Sequence, residues 1–213
     1  MVNPDEEQNR YSISKNYAID KKKRKILYVR TGKYYDYDET DTKILIYEDR
    51  VKTWFFEVAE YLMVKKKIKL PSGKKFDTNE SGFVILMIGV SYIEGNQQFR
   101  WGRPSRTNET SRIISEALER IFPELSKNLY NLFIKEVRHG FFHDGITRKN
   151  IFINASQESI FKYNPKTGSI VINPHLFLKR IEEDFDKYII ELKDDNNPKR
   201  ANFVKFWDSF KGI

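Results

Sequence analysis

The segment that most constrains this chain is Gly82–Val90 (GFVILMIGV), which continues through Tyr92 and Ile93 to Glu94. It is apolar almost all round. A helix without a polar face has to be surrounded by protein, so the fold is expected to form around this segment. It is about half the length needed to span a bilayer, which argues against a membrane helix. Asp77 followed by Glu80 has the spacing of a capping box, with Asp in place of Ser or Thr, and predicts where the helix starts. Gly95 and Trp101–Pro104 (WGRP) predict its end.

Apolar spacing predicts further helices on both sides. Ile46, Val51, Trp54, Phe55, Val58, Tyr61 and Leu62 recur at three and four residues, which makes one helix face over 43–65. Lys65–Lys69 and Pro71-Ser72-Gly73 close it. Thr107 or Asn108 caps a helix running to Phe122, and Pro123 suits the first turn of the next, which ends at Gly145. The period then shortens. Lys149–Asn154, Ser159–Tyr163 and Ser169–Asn173 read as strands, with a turn at Pro165–Gly168. Pro174 opens a helix through Leu192, and a short aromatic helix follows at Ala201–Phe210. The fold class expected is mainly α, a helical bundle with one small inserted antiparallel β-hairpin. Residues 1–42 are expected to be a polar and basic extension, including the basic run Lys21–Lys25 (KKKRK) and a loop at Lys33–Thr42. Residues 43–213 are expected to form the helical domain, with the β insertion at 149–173.

Composition narrows the function classes. The chain has 213 residues and no cysteine. That excludes disulfides, thiol catalysis, iron–sulfur clusters and Cys-ligated zinc. Lys plus Arg number 38 against 30 for Asp plus Glu, a net charge of +8, and aromatic residues make up 15%. A basic, aromatic-rich globular chain suits a nucleic-acid partner. The N-terminus lacks the charged-then-apolar order of an export signal, so no membrane association and a cytoplasmic location are expected. The chain carries no phosphate-binding glycine loop, dinucleotide fingerprint or serine elbow.

Chemistry concentrates on the predicted helix 123–145. Tyr130, Phe133, Ile134, Val137 and Phe141 form an ordinary core stripe. Leu125, Leu129, Leu132, Glu136, His139 and His143 form a second stripe, spaced 4, 3, 4, 3 and 4, the spacing of a packing seam. The seam starts apolar and ends polar, as a site at an interface would. The plainer alternative is a wet rim. His143 falls in the last turn, where the helix dipole favours a cation. Arg138 is permanently charged but lies about 140° from His143 on an ideal helix. An arginine with a histidine able to move protons near neutral pH suits a phosphodiester.

Arg138 and His143, within Arg138–Gly145 (RHGFFHDG), resemble the Arg-x-x-x-x-His signature of the HEPN superfamily. The resemblance covers about 77–192 and is specific in one helix only. It implies a small helical bundle that dimerises through the motif helix. It further implies a metal-independent ribonuclease, in a toxin–antitoxin or phage-defence setting, with RNA as substrate and an antitoxin protein as a further partner. Arg138 and His143 then take the catalytic positions, assisted by His139 or Glu136. The homodimer would form through the Leu125-Leu129-Leu132-His143 face. No cofactor and no metal are implied. Arg148, Lys149 and the Lys21–Lys25 run are candidates for RNA phosphate contacts. Two departures stand out: His139 replaces the usual Asn or Asp after the arginine, and the strands at 149–173 are extra. The alternative function is a non-catalytic helical module that binds nucleic acid, a nucleotide or a partner protein. A third reading takes His139 and His143, four apart on one face, as zinc ligands, although Gly140 stands where a zinc protease carries its glutamate.

Overall fold

The computed structural model describes residues 10–63, 66–78, 81–145, 147 and 150–210. Its architecture mixes helices and sheets, so the expectation of a mainly α bundle with one hairpin is wrong. Nine strands lie among the described residues, in a four-stranded antiparallel sheet, a two-stranded hairpin and a three-stranded mixed sheet. The chain divides into two compact units. One comprises 1–58, 99–104 and 186–213, and the other 59–98 and 105–185.

The first unit holds the antiparallel sheet β1 (Arg10–Ser12), β2 (Tyr17–Asp20), β3 (Lys25–Tyr28) and β4 (Lys33–Tyr35), in that order. Tyr11, Ile19, Ile26 and Tyr35 are in register across the four strands and so share a face. The basic run Lys21–Lys25 is the β2–β3 turn and the start of β3. Arg24 there adopts the left-handed region at φ 53°, normally reserved for glycine or asparagine. This sheet lies where the sequence predicts only a polar and basic extension. Its strands are short, and the turn at 21–24 carries no glycine, proline or asparagine.

Helix α1 (Thr40–Val51) follows, with Asp41 in its first turn and Arg50 in its last, both matched to the helix dipole. Asp49 ties it to the sheet. The carboxylate accepts from the Ser14 hydroxyl at 2.5 Å, the Asn16 backbone N–H at 3.0 Å and the Asn16 side-chain amide at 2.5 Å. The helix widens into a π turn at Lys52–Phe56 before α2 (Glu57–Tyr61). That extra residue per turn rotates the apolar face. Val51 is buried, whereas Trp54, Val58 and Tyr61, predicted on the same core stripe, are exposed. The core of the unit is closed by α7 (Lys199–Trp207). Phe99 meets Tyr47 at 4.4 Å, Phe206 at 4.7 Å and Phe203 at 5.5 Å between ring centroids. Full burial of each such ring stabilises by about 1.5–3 kcal/mol.

The second unit begins with a hairpin, β5 (Lys66–Lys69) and β6 (Lys75–Thr78). Asp77 lies in this strand, paired with Lys67, and not at a helix start; Glu80 lies outside the described residues. Helix α3 (Gly82–Trp101) starts after it. Ile85, Leu86, Val90 and Ile93 on α3 are completely buried, but Phe83, Val84 and Met87 are about 40% exposed. The helix therefore has one open apolar side, contrary to the all-round burial expected. Gly89 lets helix α6 (Pro174–Lys193) approach closely, since a Cβ there would stand 2.6 Å from the Phe177 ring. Helix α4 (Thr110–Ile121) buries Ile113, Ile114, Ala117, Leu118 and Ile121. Phe122 stacks on Phe177 at 5.3 Å with Phe161 edge-on to it.

The third sheet is β7 (Ile151–Ile153), β8 (Phe161–Asn164) and β9 (Ser169–Ile172), with β9 central. The β8–β9 hairpin turns at Pro165–Gly168, Gly168 having φ +66°. The sequence reading did not foresee that β7 joins the other edge of β9 in parallel. Asn173 then links sheet to helix. Its side-chain oxygen accepts from the N–H groups of His175 and Leu176 at 3.0 and 3.2 Å, which caps α6 ahead of Pro174.

Candidate functional site

The predicted motif helix starts later than Pro123 and is not a plain α-helix. Helix α5 (Lys127–Phe133) passes into a π turn at Ile134–Arg138 and, beyond His139, into a second at Gly140–Asp144. The backbone N–H of His139 donates to the Ile134 carbonyl, five residues back. Gly145 ends the helix in the left-handed region at φ 73°, where glycine pays no Cβ penalty.

Winding decides which side chains share a face. On an α-helix positions five apart diverge by about 140°. In i→i+5 winding each turn holds more residues, so positions five apart come round towards one side. Arg138 and His143 have that spacing, and the π turns cover both.

Arg138 is half-buried and bound. Its Nη2 lies 3.2 Å from the Glu94 Oε2 on α3, and its Nε donates to the same oxygen at 3.3 Å. Both side chains are less than a fifth exposed. Glu94, 44 positions away in the chain, appears only as a helix end in the sequence reading, because nothing local announces such a long-range partner. His143 is exposed, and its ring stacks on that of His139 at 5.6 Å between centroids with 23° between planes. Glu136 is largely covered, and its carboxylate meets the neighbouring Lys135 ammonium at 3.6 Å. The structure thus groups His139 with His143 and Arg138 with Glu94. Arg148 and Lys149 lie outside the described residues. Among the described residues no group of three or more His, Asp or Glu side chains is gathered as a metal would require.

The predicted second seam is half-exposed from Leu125 to His139. Its beginning is not an open face, since Leu125 and Leu129 line a small crevice with Phe161, Tyr163 and Ile170 of the mixed sheet. Leu132 and the polar residues beyond it lie towards the other end. The open side of α3 (Val84, Met87, Ser91, Glu94) reaches the motif helix at the Arg138–Glu94 pair. Phe83 is edge-on to Phe141 at 6.4 Å.

Comparison of the chain with family models, with curated proteins and with solved structures finds no match. Among the described residues no helix is long and apolar enough to cross a membrane.

Proposed function

We infer that the chain is a metal-independent endoribonuclease of HEPN type, acting in the cytoplasm as a homodimer. The observation that supports this reading is the i→i+5 winding over Ile134–Arg138 and Gly140–Asp144, which suits an Arg-x-x-x-x-His pair acting on one phosphate. In the proposed reaction the RNA 2′-hydroxyl attacks the adjacent phosphorus. His143, the exposed member of the histidine stack, takes the hydroxyl proton or protonates the departing 5′-oxygen. Arg138 stabilises the added negative charge of the pentacoordinate phosphorane, a role for a fixed donor. His139 orients the His143 ring through the stack. Glu94 holds the guanidinium in place until a phosphate competes for it. The partly exposed row Phe83, Val84 and Met87 beside the motif helix is the apolar area that a second copy would cover.

A non-catalytic binding module is the second reading, and the Arg138–Glu94 pair is the observation in its favour, because a paired arginine is also a structural one. One experiment separates the two. Wild type and His143→Ala are incubated with a labelled single-stranded RNA and its DNA counterpart in EDTA. Cleavage of RNA alone, lost in the variant, is expected. Intact RNA with wild type at high enzyme concentration would overturn the ribonuclease reading.

A further inference from the structure

The first unit holds a cleft of about 880 Å³ that the proposed reaction does not use. Its floor is the sheet face carrying Ile19 and Ile26. Trp54 and Tyr11 stand in its walls, 46% and 50% exposed. Lys21, Arg24 and Lys25 form the rim, and Arg50 comes in from α1. The volume is that of an ordinary small-ligand site.

Charge is what sets this cleft apart. Several cations outside it are held by carboxylates: Lys43 by Asp208, Lys52 by Glu48 and Asp186, and Arg120 by Asp184. Among the described residues Arg24, Lys25 and Arg50 have no carboxylate within ion-pair distance. Arg50 is half-buried and donates its Nε–H to the Ile13 carbonyl at 2.7 Å. Its guanidinium faces the Trp54 ring at 5.5 Å and the Trp207 ring at 5.6 Å. A cation held away from water without a counter-charge is costly, and a bound anion would offset that cost. One acidic side chain, Asp38, lies on the rim against four basic ones.

We propose that this cleft binds a nucleotide of a single-stranded nucleic acid, its base stacked on Trp54 and Tyr11 and its phosphates held by Lys21, Arg24, Lys25 and Arg50. An acidic peptide would satisfy the charges but make no use of the two half-exposed rings, which already face Lys21 and Arg50. Flat rings beside cations are what binds single strands without reading sequence. The inference is independent of the ribonuclease reading, since no residue of the cleft belongs to the motif helix.

The test uses the full chain carrying His143→Ala, so that cleavage plays no part. Binding of a fluorescein-labelled oligouridylate about ten nucleotides long is followed by anisotropy. Trp54→Ala is expected to weaken binding about tenfold, the scale of one lost base stack, while Trp54→Phe keeps most of it. Lys21→Ala with Lys25→Ala is expected to lower the slope of log affinity against log salt by about 1.4. Circular dichroism of each variant checks that it folds. Displacement of the oligonucleotide by adenosine monophosphate at equal concentration supports the cleft and identifies a free nucleotide as its ligand. Oligonucleotide binding unchanged by all these substitutions, no binding at all, or equally tight binding of polyglutamate would overturn the proposal.

Discussion

Arg138 and Arg50 each lie in the last turn of a helical segment, yet they sit in opposite electrostatic settings. Arg138 is bound through two nitrogens to Glu94. Arg50 is bound to a carbonyl and two indole faces, with no carboxylate among the described residues close enough to pair. The first arrangement fixes a guanidinium in position and quenches its field, so an incoming phosphate has to compete. The second leaves the field open but gives the arginine fewer bonds that set its direction. A fixed, quenched arginine suits a reaction in which charge grows only at the transition state. An open one suits ground-state attraction. The two units therefore assign different work to the same residue type.

The strongest way to break this contrast is to remove the reactive groups. Arg138→Ala and His143→Ala are each expected to lower the RNA cleavage rate at least about 100-fold, with oligonucleotide affinity at the Trp54 cleft unchanged. Gel assays and anisotropy on the same protein read the two effects. A parallel fall in both would merge the two sites.

Asp49→Ala comes next. It leaves the Ser14 and Asn16 donors without their acceptor and is expected to cost about 2 kcal/mol of stability. Denaturant titration measures it. Because those bonds hold the segment between β1 and β2 against α1, oligonucleotide binding should weaken as well, while Arg138 chemistry is spared.

Glu94→Gln sharpens the comparison directly, since it makes Arg138 resemble Arg50. The pair is partly screened at its exposure, so a loss of about 1 kcal/mol is expected. RNA affinity at the motif helix should rise two- to threefold, read by anisotropy with a protein that carries His143→Ala and Trp54→Ala, so that the cleft contributes little to the signal. A fall in affinity would show that Glu94 orients the arginine more than it restrains it.

The smallest effect is acid sensitivity of the first unit. Burial alone would raise the Asp20 carboxyl, but the Lys23 N–H, the Tyr34 hydroxyl and the charges of Lys23 and Arg10 outweigh that and hold it below its ordinary 3.8. Burial would likewise raise the Glu48 carboxyl, but the hydrogen bonds and charges of Lys193 and Lys52 outweigh it and hold the group below its ordinary 4.5. Both groups are lowered in the folded chain, so their contribution is fully present above the ordinary values and disappears as pH falls through the folded ones. Melting temperature should hold from pH 7 to pH 5 and drop below about pH 4. Glu48→Gln should flatten that drop.

Legibility in the sequence followed local signals. Helices α4 and α6 were readable because their apolar stripes recur at helical spacing, and Gly145 and Pro174 mark boundaries by backbone constraints of their own. The first sheet was not readable, because Lys-rich Lys21–Lys25 hides a tight turn and Arg24 takes a conformation that its residue type does not advertise. Residue spacing places Trp54 in the core, because the π turn that rotates it outwards leaves no trace in that spacing. The candidate pair Arg138 and His143 was visible as a spacing, but its meaning depended on winding. On α geometry the two diverge by about 140°, and the i→i+5 winding over Ile134–Arg138 and Gly140–Asp144 narrows that divergence. Glu94 could not be found at all, because its pairing depends on where α3 runs.

The division of the chain has a consequence for the order of synthesis. Residues 59–98 and 105–185 supply the second unit, and they leave the ribosome before 186–210 do. The first unit needs that last stretch, since Phe203, Phe206 and Trp207 complete the core around Tyr47 and Phe99. Its sheet and the cleft with it are therefore made early and finished late. A nascent chain passes through a stage in which the motif helix can fold while the aromatic cluster of the first unit still lacks its closing helix.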